Sequence, residues 1–161
     1  MQHPLLKNHI ESEIYNIIKP KADECFASMQ ESYRKKGYNV ALSEGKMEVE
    51  LLPKKVSIVF NKTLSLTKDT TQSYESFVVV LNNNLYELMS IALSIANWEV
   101  RYGDAETTLY MTYYHNLKVE KKKQSEGTKI YILTDRNTEN KFQFATRSVA
   151  WPPGYAARQV I

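Results

Sequence analysis

The chain has few of the residues that build cross-linked or reactive sites. Among its 161 residues Cys25 is the one cysteine, which excludes an internal disulfide and an all-cysteine zinc site. His3, His9 and His115 stand at no spacing that puts two of them on one helix or strand face, so a zinc site would have to be completed by carboxylates. The five glycines are scattered and form no phosphate-cradling loop. Lysine plus arginine (21) exceed aspartate plus glutamate (18) by only three, far from the concentrated basic face that phosphate binding needs. No apolar run reaches the roughly 18 residues of a bilayer-spanning helix, and Met1–Leu6 has no signal-peptide core. From these shortages the sequence assigns no catalytic residue, no metal and no cofactor.

What is present is globular: 43% apolar and 24% charged residues, enough for one α+β domain over 1–161. The organising stretch is Asn82–Gly103. Leu85, Leu88, Met89, Ala92, Ile95 and Ala96 recur at helical spacing, and Ile91, Trp98 and Tyr102 widen the apolar face. Asn84 with Glu87 suggests an N-terminal capping box, and Gly103 a left-handed cap at the other end. A second helix is predicted over 8–36. Its stripes, Ile10/Ile14/Ile17/Ile18 and Ala22/Cys25/Phe26/Met29/Tyr33, fall either side of Pro20, which should kink it or start a second helix near its first turn. Residues 1–20 then read either as a helical stalk or as part of a kinked helix folded back along its length onto the sheet, with Cys25 as a small core hydrophobe.

Three strands follow as an antiparallel meander: Val40 and Leu42, then Met47, Val49 and Leu51, then Val56, Ile58 and Phe60. The apolar face of the last two is expected to pack on the 85–102 helix. Thr63–Ser73 reads as a polar connection, and Phe77–Leu81 as a strand buried on both faces. Thr107–Tyr114 alternates in the manner of a half-exposed strand. Strands are also expected at 117–119, 129–134 and 141–145, with 121–128 as a charged loop and 148–161 as an irregular tail. The fold class is α+β, antiparallel sheets packed on a long central helix, in the order α-βββ(β)-α-βββ(β).

The candidate surfaces each have a plain alternative. Lys121, Lys122 and Lys123, in the Lys118–Lys129 hairpin near Tyr110, Tyr113, Tyr114 and Tyr131, form either a basic aromatic surface for single-stranded nucleic acid or a solvated hairpin. The interleaved glutamates favour the second. Asp104 and Glu106 are close enough for acid–base work, or are an ordinary turn. Trp151 and Tyr155, in Trp-Pro-Pro-Gly-Tyr, make a docking epitope or a strap over the core. Asn61-Lys62-Thr63 matches the glycosylation acceptor pattern.

Several of these features occur together elsewhere. The lone cysteine before an apolar residue (Cys25-Phe26), Gly37-Tyr38-Asn39-Val40, the Met47–Phe60 strands and the alanine-bearing helix Leu85–Glu99 are joined by Tyr131-Ile132-Leu133 with Asp135, then Phe142, Phe144-Ala145 and Arg147. In this combination the chain resembles a loosely defined group of exported, uncharacterised proteins of archaea with small genomes. That resemblance implies a domain outside the cytoplasmic membrane, following a single N-terminal membrane anchor that this sequence does not include. It supplies no catalytic residues, and the group's frequent N-terminal glycine-rich segment is missing. The expectation is a non-catalytic binding or structural module of the cell envelope, with a protein partner or self-association. The alternative is a soluble ligand-binding or enzymatic α+β domain in the cytoplasm, and nucleic-acid binding stands third.

Overall fold

In the computed structural model, residues 4–147 are described, and the contacts divide the chain into two compact units that meet in sequence at Asn83–Asn84. The elements of the first are α1 (Pro4–Lys35), β1 (Asn39–Leu42), β2 (Met47–Leu52), β3 (Lys55–Phe60), β4 (Leu64–Thr67), β5 (Thr71–Tyr74) and β6 (Phe77–Asn82). Those of the second are α2 (Leu85–Tyr102), α3 (Thr107–Tyr113), β7 (Leu117–Lys123), β8 (Lys129–Asp135) and β9 (Lys141–Thr146). Three antiparallel three-stranded sheets result, β1-β4-β5, β2-β3-β6 and β7-β8-β9, and the fold is α+β. The expected tail from 148, with Trp151 and Tyr155, lies outside the described residues, as does His3.

The first unit is built by one helix lying on two sheets. Ile14, Ile18, Ala22, Phe26, Met29 and Tyr33 recur in steps of three and four and are all partly buried, so a single stripe runs straight through Pro20. Pro20 is tolerated because it and Asn16, whose carbonyl it leaves without a helical donor, are both exposed, so water can satisfy that carbonyl. Of the two readings of residues 1–20, the stripe agrees with the helix folded back onto the sheet. Leu51 N donates to Glu11 Oε1 at 2.7 Å, which lays the N-terminal half of α1 along β2 and leaves Ile10, Ile14 and Ile18 half-buried. Cys25 is corrected as well, since it falls between stripe positions and is exposed.

The six-residue apolar face reads as expected, through the register Met47–Phe60, Val49–Ile58 and Leu51–Val56. Within its own unit the cover of this face is α1: Phe26 meets Phe60 edge-on at 5.3 Å. The meander is also redrawn. β1 pairs with β4, and the stretch read as a polar connection supplies both β4 and β5. Its alternation was short and rich in Ser and Thr, yet Leu64 and Leu66 join Val40 in a second core under Met29 and Tyr33. The chain crosses between the two sheets at 43–46, beside 61–63: Ser43 N bonds Thr63 O at 2.8 Å and Asn61 N bonds Lys46 O at 2.9 Å. Gly45 is pressed there so closely that a Cβ would lie 1.7 Å from Asn61 O.

β6 departs furthest from expectation. It is the last strand of its sheet, and Val78, Val79, Val80 and Leu81 are 43–58% exposed. An apolar run of five looks like a strand buried on both faces, but α1 covers the β2 side of the sheet and leaves most of β6 open.

In the second unit α2 lies over β9 and β8. Leu88, Ile91, Ala92 and Ile95 meet Leu117, Val119, Tyr131 and Leu133 in one core. Trp98 and Tyr102 meet with tilted rings at 5.2 Å on the exposed side, so they do not widen the buried face. Residues 107–113 form α3 instead of a strand. Their Thr-rich alternation also places Tyr110 and Met111 one helical turn from Thr107 and Tyr114, and packing of those two on the α2 core decides the outcome. Strand β7 runs on to Lys123, shortening the expected loop to Gln124–Thr128.

Two substitutions separate the packed from the open side of α1 and its sheet. Leu51→Ala should cost about 3 kcal/mol in urea unfolding, because Leu51 is fully buried. Cys25→Ser should change stability by less than about 0.5 kcal/mol.

Candidate functional site

Sheet alternation sorts the lysines of the β7–β8 hairpin. Lys121 faces Tyr131 and Lys123 faces Lys129 across the ladder, so all three lysines share the face that carries Val119, Tyr131 and Leu133. Lys122 points the other way and is exposed. The inward lysines meet two carboxylates brought by the end of α2. Asp104 lies 3.0 Å from Lys121, 3.1 Å from Lys129 and 3.3 Å from Lys123, and Glu99 Oε2 lies 2.7 Å from Lys129. The Lys121-Lys122-Lys123 surface read from the sequence is thus divided, two inward to Asp104 and one outward to solvent.

Glu99 is the buried centre of this cluster at 1% exposure. Its carboxylate accepts from Ala105 N at 2.7 Å and from the Tyr131 hydroxyl, besides Lys129. Lys129 also donates to Gly103 O, and Lys121 to Ala105 O at 2.8 Å. These bonds hold the 103–105 corner in place. Gly103 makes that corner possible by taking φ 75° after the last turn of α2, with its N–H on Glu99 O at 2.9 Å. Glu106 then caps α3 by accepting from Thr108 N at 3.0 Å, so Asp104 and Glu106 have separate structural duties rather than a shared acid–base one.

The electrostatics follow from these contacts. Partial burial pushes the Asp104 carboxyl up, but hydrogen bonds from Lys121, Lys129 and Lys123 outweigh it and hold the pKa at about 2. Burial pulls Lys129 down, and its bonds to Glu99 and Asp104 more than reverse this, leaving it raised. Burial, reinforced by the bond to Glu99, pushes the Tyr131 phenol far up.

Fixing the corner also fixes α3 against α2, and a groove of about 240 Å³ lies between them. On α2, Tyr86, Ser90 and Ser94 are successive i,i+4 positions, and Tyr110 of α3 with Tyr114, the residue at its C-terminal cap, are another such pair. The small serines let the tyrosines stand as walls, with Ile91 below. Ser94 Oγ and the Tyr110 hydroxyl are 2.8 Å apart. Such a lining suits a ligand with an apolar face and one or two hydroxyl or amide groups. Large apolar residues are exposed on the same elements: Leu109 and Tyr113 on α3, Tyr114 at its end, and Trp98 and Tyr102 on one side of α2, with Val100 on the other.

The N-terminus of α2 uses Asn84 differently from a capping box. Its side chain makes no cap bond; Nδ2 donates to Asp135 Oδ2 at 2.5 Å, and Oδ1 accepts from Asn140 at 2.8 Å. In the first unit a polar groove of about 350 Å³ contains Lys19, Asp23, Phe26 and Lys62. Lys62 is almost buried, 3.1 Å from Asp23 and 5.1 Å above the Phe26 ring. Asn61, of the acceptor triplet, is exposed. His9 and His115 are exposed and belong to different units, and among the described residues no group of three His, Cys, Asp or Glu side chains is placed to hold a metal. Among the same residues no helix is long and apolar enough to cross a membrane.

Compared with family models, curated proteins and solved structures, the chain matches none.

The cluster sets the pH range of stability. Asp104, with its pKa depressed, contributes stability present above its ordinary value of 3.8 and lost as pH falls through about 2. Lys129 and Tyr131 have raised values, so their contribution is intact below their ordinary 10.5 and 10.0 and fades as pH climbs above that range. A urea series against pH should therefore fall at both ends, and ultraviolet titration should show Tyr131 ionising only as the unit unfolds. Glu99→Ala, which leaves Lys129 without its buried partner, should cost about 3–5 kcal/mol. The exposed Lys123→Ala should cost less than about 1 kcal/mol.

Proposed function

We propose that the chain is a non-catalytic binding module of the cell envelope, the extracytoplasmic part of a membrane-anchored protein. It acts through apolar and aromatic surface rather than through a reacting group. The observation that carries this reading is the exposure of Trp98 and Tyr102, whose rings meet on α2, and of Leu109, Tyr113 and Tyr114 along and just after α3. Aromatic residues are enriched where proteins bind one another, and an apolar patch of this kind marks a contact site. The most strongly shifted titratable groups, Asp104 and Tyr131, are by contrast engaged within the cluster that holds the α2–α3 corner. The envelope location rests on the resemblance to exported archaeal proteins and on the exposed Asn61 of the acceptor triplet.

A second reading, a soluble domain binding a small molecule, is favoured by the tyrosine-walled groove between α2 and α3. Nucleic-acid binding has less support, because Lys121 and Lys123 are turned onto Asp104 and only Lys122 of the three faces outward.

A tagged copy produced in its own cells should sediment with membranes and be cut by protease added outside intact cells. Recovery in the cytoplasmic fraction, untouched by protease, would overturn the location. Trp98→Ser with Tyr102→Ser should leave unfolding within about 1 kcal/mol, since both rings are on the open side of α2. The same double variant should lose retention on immobilised envelope proteins, and equal retention would move the binding surface elsewhere.

A further inference from the structure

We propose that β6 is the contact through which two copies of this chain pair, edge to edge and antiparallel, about a two-fold axis at Val79. The inference concerns the first unit alone and does not depend on where the protein resides.

The free edge is specified by the ladder. Asn83 N donates to Lys54 O at 3.0 Å, so the backbone groups of residues 83, 81, 79 and 77 face β3. Strand geometry alternates, which turns the N–H and C=O of Val78, Val80 and Asn82 toward the open edge. Those groups sit in a strand whose Val78, Val79, Val80 and Leu81 are exposed. A long apolar edge without charge, proline or bulge is what folded proteins usually avoid, unless another strand covers it.

The occupant is argued from the strand's own symmetry. A two-fold axis at Val79 sets Val79 opposite its own copy, Val78 opposite Val80 and Phe77 opposite Leu81. Every facing pair within 77–81 is then apolar, on both faces of the joined sheet, and the polar Asn82 faces Ser76. The Val78–Val80 pairs, made twice by symmetry, supply about four backbone hydrogen bonds. The strand ends are complementary too. Glu75 precedes β6, while the Lys54–Lys55 turn lies beside its far end, where Lys55 pairs with Asn82. The axis carries Glu75 of each copy to the lysine turn of the other. Alternative registers lose this match: moving the axis to Val80 sets Val78 opposite Asn82 and Phe77 opposite Asn83.

The experiment uses the full chain with Cys25→Ser as background, since Cys25 is exposed and would cross-link by itself. Sedimentation velocity from about 1 μM to about 100 μM should show a monomer–dimer equilibrium. Val79→Cys should give a disulfide dimer on mild oxidation, because residues facing each other without ladder bonds are about 4.5 Å apart at Cα, within disulfide range. Val80→Cys alone should cross-link poorly, yet efficiently when mixed with Val78→Cys. Val80→Lys, whose backbone does not face β3, should keep its circular dichroism and melting temperature while weakening dimerisation about tenfold or more. A monomer at every concentration would overturn the proposal. So would open-ended aggregates, or Val80→Cys cross-linking faster than Val79→Cys.

Discussion

Each unit depends on the same constraint: a three-stranded sheet has an apolar face that one helix must keep from water. In the second unit the fit is one to one, α2 over β8 and β9. In the first, α1 is long enough to lie against two sheets, its early turns along β2 and its later ones, at Met29 and Tyr33, over the Val40–Leu64–Leu66 core. A single helix can cover about two strands, since strands lie about 4.8 Å apart and a helix is about 10 Å wide. The strand left beyond that width is β6, and its exposure follows from arithmetic of this kind rather than from its composition.

Much of the local structure was legible. Alternation at Met47, Val49, Leu51, Val56, Ile58 and Phe60 gave the hairpin, its register and its buried face, because a hairpin is a local object. The α2 stripe and its Gly103 cap were equally local. What could not be read was which surfaces meet. Two apolar helices and several one-faced strands admit more than one pairing, and nothing within a single stretch names α1 as the cover of β2. The short strands β4 and β5 were hidden for a related reason: four residues of Leu, Ser and Thr carry too little periodicity until their partners are known.

Of the candidate site, the lysine run is visible in the sequence, but its division depends on β7 continuing to Lys123, where a period of two assigns Lys121 and Lys123 to one face and Lys122 to the other. Glu99 did leave a trace. It falls four residues after Ile95, continuing the Leu88–Ala92–Ile95 stripe with a charge where an apolar residue was due. A carboxylate in that position must be desolvated, and the protein meets it with a lysine, a phenol and a backbone amide at once. The three donors come from β8 and from the 103–105 corner, so helix, corner and sheet are locked by one side chain.

Gly45 sets a different kind of limit. Most positions in this chain can drift among residue types of similar polarity, since a neighbour can move aside. At Gly45 the obstacle is the peptide group of Asn61, which is itself tied to Lys46, so there is nothing soft to give way. Any side chain there would part the strand end from the crossing loop, and with it the handover of the chain from one sheet to the other. A residue without a side chain thereby becomes hard to replace, and the path between the two sheets is fixed by a volume that has to remain empty of side chain.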